Sequence, residues 1–215
     1  MDFLPSLAVL GAYTAAVVAL TFTPGPDMTL FLGKAVSQGR AAGMASMLGA
    51  STGILVHTLL VALGLSALIA ASATAFTVLK VAGALYLLWL AVDAVRHGSG
   101  LNLDAARAQA PGEPLLRVWL KGLAINLLNP KIIMFFVTFL PQFVDAADPY
   151  AARKLLFLGV TFVMIAVPIS TLMIASAARL AGLLKRAPRL MRGVDWLFAG
   201  IFGAFALRLL LERRD

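Results

Sequence analysis

The sequence predicts an all-α polytopic membrane protein: six transmembrane helices arranged as two inverted three-helix repeats, with the first and fourth helices broken. Three observations predict it. The 215-residue chain is 61% hydrophobic and only 13% charged, with a mean hydropathy of +0.93; a soluble domain carries about 25% charged residues. Its apolar runs are long enough to cross a hydrocarbon core of about 30 Å. Two of those runs are interrupted by a proline followed at once by a charge, Pro26-Asp27 in one half and Pro130-Lys131 in the other.

The first span runs from about Phe3 to Phe22 and stops at Thr23-Pro24-Gly25-Pro26-Asp27. Each proline lacks an N–H and clashes with the preceding turn, so the helix cannot continue. Backbone freed by such a break is tolerated in a membrane only inside protein or along a wet cavity. Asp27 adds a charge that costs roughly 2.5–3.5 kcal/mol at a helix centre. A break and a charge together suit a solute site; the alternative is that Asp27 only caps the following helix. That helix continues to about Val36, and Ser37-Gln38-Gly39-Arg40 is the first polar turn.

From Ala41 to Leu79 the only group able to carry a charge is His57. That run exceeds one crossing at 1.5 Å per residue, so it holds a second span and the start of a third, turning near Ala71-Ser72-Ala73-Thr74. In the second span Gly39, Gly43, Ser46, Ala50, Gly53 and His57 recur at steps of three and four, one helix face. Such a stripe admits a close helix neighbour or lines a solute path. His57 is its one titratable group, suited either to a structural hydrogen bond or to substrate and proton handling. The third span covers about Phe76 to Val95, with Lys80 free to snorkel, Tyr86 and Trp89 packing or anchoring, and Asp93 and Arg96 at its far end.

Gly98 to Pro114 is the one long polar stretch, a linker. It divides residues 1–97, the first repeat, from residues 115–215, the second. The fourth span begins near Leu115, breaks at Asn126-Leu127-Leu128-Asn129-Pro130-Lys131, resumes through Leu140 and ends at Pro141-Gln142-Phe143. The fifth runs from about Ala152 to Ala178 with Pro168 as a kink. A basic turn with Arg179, Lys185, Arg186, Arg189 and Arg192 precedes the sixth, about Val194 to Leu211.

An odd number of spans per half inserts the halves in opposite senses, with a site expected where the two broken helices meet. Asp27 and Lys131 would then face one cavity, paired with each other or with a bound solute. A free amino acid matches this: its carboxylate suits Lys131 and exposed helix N-termini, its ammonium suits Asp27 or carbonyls freed before Pro24 and Pro26. Asp27 is the only acid clearly at depth, which favours a neutral amino acid over lysine or arginine.

The net charge of +8 comes from basic residues lying between apolar runs. Membrane orientation and anionic lipid account for them, so no nucleic acid is expected. No cysteine is present, which excludes disulfides and thiolate metal sites. No His-Glu-x-x-His or P-loop occurs, arguing against an enzyme and against direct use of ATP. The N-terminus lacks a basic n-region and a small-x-small site, so no cleavable signal peptide is expected. No metal or other cofactor is expected.

The segments from Pro24 to His57, from Leu79 to Arg96 and from Trp119 to Phe143, above all PGPD paired with NPK and PQF, resemble the LysE/RhtB family of bacterial amino-acid exporters. The resemblance covers about Thr23 to Phe143; Trp119 stands where phenylalanine is more usual. It implies a six-span inner-membrane exporter driven by the proton motive force, with functional positions Pro24, Gly25, Pro26, Asp27, Asn129, Pro130 and Lys131. Asn126 and His57 complete the candidate substrate-binding set. The partners expected are an amino-acid substrate, protons and the lipid bilayer, and a homodimer is an expected assembly.

Overall fold

A computed structural model describes residues 4–71, 112–144 and 148–177, together with single helical positions between 78 and 96 and between 192 and 207. The described residues form helices and connecting turns. The third and sixth spans, the turn after Ala71, Lys80, Tyr86, Asp93, most of the linker and the basic turn from Arg179 to Arg189 fall largely or wholly outside them.

Helix α1 spans Leu7–Phe22 and α2 spans Pro26–Gln38. The break is as short as the two prolines require. Pro26 is the first helical residue of α2, where its missing N–H costs no helical bond, and the two axes differ by 53°. Gly39, at φ +90°, is the single residue between α2 and α3. That left-handed conformation suits glycine, which has no Cβ to clash. Helix α3 spans Arg40–Ala71. In the second half α4 covers Leu115–Leu127 and α5 covers Pro130–Met134, again opened by a proline. A π-helical turn at Phe135–Phe139 and a 3₁₀ turn at Leu140–Phe143 carry it on. This second pair is also bent by 53°. Helix α6 spans Ala151–Ala175 with Pro168 inside it. Asp148 starts it: its carboxylate accepts from the Tyr150 N–H at 2.7 Å and pairs with Lys154, and both hold it below the usual carboxylate range.

Helices α3 and α6 are each long and apolar enough to cross a membrane, and each bent pair makes one further candidate span. Apolar side chains such as Leu7, Leu63, Leu116, Met164 and Leu172 project outward, which suits a lipid surround and would be costly in water. The chain is a polytopic helical membrane protein.

Helix α3 is the centre of the bundle, packed most extensively on α4 and then on α6 and α2. The α3–α4 crossing is made by glycines. A Cβ at Gly49 would meet the Trp119 backbone, and one at Gly122 would meet the Ser46 backbone. Two backbones in such contact gain dispersion over a long strip without burying polar side chains. The predicted stripe on α3 serves two neighbours: Gly43 faces Phe31 and Ala35 of α2, and Gly53 faces Asn126 of α4. Gly49, outside the predicted stripe, makes the tightest contact on this helix.

Two apolar clusters form the core. The larger gathers Tyr13, Phe135, Phe136, Phe139, Leu158 and Phe162, with the Tyr13 hydroxyl donating to the Leu158 carbonyl at 2.9 Å. The smaller gathers Met28, Phe31, Met47, Met173 and Ile174. Polar residues of both breaks lie between them.

Candidate functional site

Each break is tied down by residues of the other. Asp27 Oδ2 accepts from Asn126 Nδ2 at 3.0 Å and from Asn129 Nδ2 at 3.1 Å. In return Lys131 Nζ donates to the Thr23 carbonyl at 3.1 Å, an acceptor left free where the helix breaks. Asn129 is the N-cap of α5, its Oδ1 accepting from the Lys131 N–H at 3.1 Å. One asparagine thus caps its own helix and holds the aspartate of the other half.

Asp27 itself is not a cap. Gly25 occupies the N-cap position of α2, and no side chain caps that end. The Asp27 carboxylate sits in the first helical turn, where the helix dipole favours an anion, and is aimed across at α4. The proposal that it only caps a helix fails on this geometry.

Asp27 and Lys131 line the same cavity, but they form no direct ion pair. Of the two expected arrangements, pairing with each other or with a bound solute, the first is replaced by the side-chain amides and a backbone carbonyl. The Thr23 carbonyl, one of the acceptors expected alongside Asp27 for a ligand's ammonium, already accepts from Lys131. A Cβ at Gly25 would lie 2.9 Å from Lys131 Nζ; the backbone there is extended, so glycine is needed for space and not for conformation.

The cavity has a volume of about 70 Å³. A water needs roughly 10–15 Å³ on this measure, so the space suits a small solute. Thr21, Thr23, Asp27, Ser51, Asn126, Asn129, Lys131 and Ser170 supply its polar lining, and Phe31, Met47, Ile54 and Phe162 part of its apolar lining. Asp27 Oδ1 and Asn126 Oδ1 are buried and accept no hydrogen bond from any described residue. A buried polar atom without a partner costs about 1–3 kcal/mol, so two adjoining acceptors mark a place for a donor. The Lys131 ammonium has three donors and spends one on Thr23.

Of the nine candidate residues, Gly25, Asp27, Asn126, Asn129 and Lys131 line this cavity. Pro24, Pro26, Pro130 and His57 do not. The prolines create the breaks. His57, buried and stacked on Phe136 with ring centroids 5.9 Å apart, reaches the Asn126 carbonyl through Nε2 at 3.4 Å. A carbonyl only accepts, so this contact holds with the proton on Nε2. Pro130 cannot supply the helical N–H that the Asn126 carbonyl would otherwise receive; the Asn129 N–H donates to that carbonyl instead at 3.1 Å, and His57 adds the longer contact. Ser51 and Ser170 were not anticipated, because serines within apolar helices are ordinary and periodicity does not say which face a cavity.

A family model described as LysE type translocator matches residues 18–213. The homoserine/homoserine lactone efflux protein of Salmonella typhimurium is 32% identical over 192 residues, covering 89% of this chain and 90% of that protein. The threonine efflux protein of Escherichia coli strain K12 is 31% identical over 200 residues, 92% of this chain and 94% of that protein. A membrane protein of Vibrio cholerae is 34% identical over 191 residues, 89% of this chain and 91% of that protein. No solved structure matches.

Proposed function

The chain belongs to the LysE type translocator family, and from that membership we propose that it is a secondary transporter carrying small neutral amino acids out of the cytoplasm, driven by the proton motive force. The relatives named for homoserine and threonine efflux support the class and direction of transport. The observation that carries the reading to this chain's own residues is the charge pattern of the cavity. Asp27 and Asn126, each with an unpartnered acceptor, line the cavity together with a lysine whose ammonium has donors to spare. A zwitterion presents the complement, with ammonium donors for the first pair and carboxylate acceptors for Lys131. Asp27 and Lys131 cancel, so the cavity favours a solute without net charge, and Asp27 is the only acid in its lining.

The inverted-repeat plan of six spans belongs to the same proposal. Equal bends of 53° and the reciprocal bonding of the two breaks support it. Asp27 is the candidate proton carrier, since a proton on it would weaken its hold on an ammonium.

The test is efflux of radiolabelled amino acids from preloaded proteoliposomes under an imposed proton gradient, with and without an uncoupler. Wild-type protein should export small neutral amino acids, and the uncoupler should abolish the gradient-driven component. Asp27→Asn and Lys131→Met should each lower the rate at least about tenfold, as loss of a hydrogen bond to a charged group costs about 1.5–3 kcal/mol. Rates for Asp27→Asn near wild type at equal protein would remove Asp27 from the site. Export of lysine or arginine in preference would reverse the substrate class.

A further inference from the structure

Ser170 lies on α6 between the two apolar clusters. Phe162 and Ala166, at steps of four before it, pack in the larger; Met173 and Ile174, just beyond it, pack in the smaller. Ser51 holds the equivalent level on α3, between Met47 and Ile54. Both serines line the cavity that contains Asp27 and Lys131.

The hydroxyls around this cavity differ in one respect. Thr21, Thr23 and Ser51 each donate to the carbonyl four residues back on their own helix, at 2.7, 2.7 and 2.9 Å. This local bond is the usual resting place of a helical hydroxyl in an apolar setting. Ser170 makes no such bond and has no hydrogen-bond partner among the described residues, although only 6% of its surface is exposed. A hydroxyl that is not tied to its own helix keeps both its donor and its acceptor for whatever enters the cavity. Asn129 is committed through both side-chain ends. Ser170 is therefore the one neutral group of the lining whose donor and acceptor are both uncommitted.

We propose that Ser170 is a specificity-determining residue that reads a hydroxyl on the side chain of a short amino acid, with Ser51 Oγ available as a second acceptor. This inference rests on the export reading above and deepens it. Phe31, Met47 and Ala166 enclose the same space with apolar surface, which suits a short aliphatic stem ending in a polar group. Met28 adds an unbranched, adaptable wall. A hydroxyl of the substrate both donates and accepts, as Ser170 does; an aliphatic isostere would leave Ser170 unpartnered on binding.

The test compares matched pairs of substrates, serine with 2-aminobutyrate and threonine with valine, in competition for efflux from proteoliposomes. Wild-type protein should favour the hydroxyl member of each pair by roughly three- to tenfold, the worth of one neutral hydrogen bond. Ser170→Ala should bring that ratio close to one, with transport of the hydroxyl member falling far more than that of its isostere. Thr171→Ala, one residue along and off the cavity lining, should leave the ratio as in wild type. Because the chain has no cysteine, Ser170→Cys gives a readout independent of transport. Free serine should protect the introduced thiol from N-ethylmaleimide, as it must if position 170 lies against the bound amino acid. An unchanged ratio in Ser170→Ala, an equal fall for both members, or no protection of the thiol by serine overturns the subsite while leaving amino-acid export standing. Failure of wild-type protein to move any of the four amino acids overturns export and this subsite together.

Discussion

Asp27 is an aspartate where an asparagine would be nearly isosteric, and the reason is direction of donation. Its Oδ2 receives two amide N–H groups, from Asn126 and Asn129, and its Oδ1 is left as a buried acceptor without a partner among the described residues. An amide at position 27 has one oxygen and one NH₂, so a donor would face either those two donors or the ligand's ammonium. Lys131 is constrained in the same way from the other break: its stem must pass the Cα of Gly25 to reach the Thr23 carbonyl. Asp27→Asn and Lys131→Met are each expected to abolish most transport. The double mutant removes both charges and spares either from being left unpaired in a poor dielectric. It should accumulate at least as well as the single mutants and still fail to transport. Equal protein level on blots with restored efflux in the double mutant would show that the pair serves folding and not the ligand.

At the scale of elements, the two broken helices depend on each other. Helix α5 has only five residues, far below the length at which an isolated helix is stable, and a π-helical turn follows it. Its first turn is held by Asn129, itself held by Asp27 of the other half. Helix α3 sets where Asn126 stands. A Cβ at Gly53 would come 2.5 Å from Asn126 Oδ1 and 3.0 Å from its Cβ. Gly53→Leu should therefore displace Asn126 and with it one of the two bonds to Asp27. A displacement of about 1 Å in a positioned group can cost about a hundredfold, so efflux should fall to that order. Membrane insertion should be unaffected because the change raises hydrophobicity. Normal efflux at normal protein level would show that α3 and α4 can part there without consequence.

At the scale of the molecule, one ion cluster joins the first half to the second away from the cavity. Lys34 of α2, with 1% of its side chain exposed, meets Glu113 Oε2 at 2.7 Å, and Lys121 of α4 meets Glu113 Oε1 at 2.6 Å. The two ammonium groups push the Glu113 carboxyl down to about 2 from an ordinary 4.5. A depressed folded-state value stabilises the fold above the unfolded value and is lost as pH falls through the folded one. Wild-type protein in detergent should thus melt above Glu113→Gln at neutral pH by a constant margin down to about pH 4.5, and the margin should close towards pH 2. A margin that does not change with pH would assign the difference to packing. Orientation follows from the distribution of basic residues. The loops after the first, third and fifth spans hold Lys34, Arg40, Arg96, Arg107, Arg117, Lys121, Arg179, Lys185, Arg186, Arg189 and Arg192, against Arg153, Lys154, Arg208, Arg213 and Arg214 on the other side, which we propose puts the first set in the cytoplasm and both termini in the periplasm. Single cysteines at Ala105 and Pro149 test it in intact spheroplasts: an impermeant maleimide should label position 149 and spare position 105. The reverse pattern would invert the topology.

The sequence by itself determined the class of the fold and the position of its two breaks. Hydropathy sets how much chain must lie in lipid, and a proline's missing N–H ends a helix whatever surrounds it; both are local properties. For the same reason Gly25, Asp27, Asn126, Asn129 and Lys131 were legible as candidates: a charge or amide beside a break at membrane depth is costly unless it is used. Only the tertiary structure decided how those residues are joined. Periodicity along one helix carries no information about which neighbour it meets, so the split of the α3 stripe between α2 and α4, and the contact at Gly49, could not be read. The replacement of a direct Asp27–Lys131 pair by amides and the Thr23 carbonyl depends on how the bends bring the breaks together. His57 was legible as unusual, but its place behind Asn126 and off the cavity is a matter of packing. Ser170 lay hidden among serines that bond their own helices, because what distinguishes it is the lack of such a bond, and that is a property of three-dimensional surroundings alone.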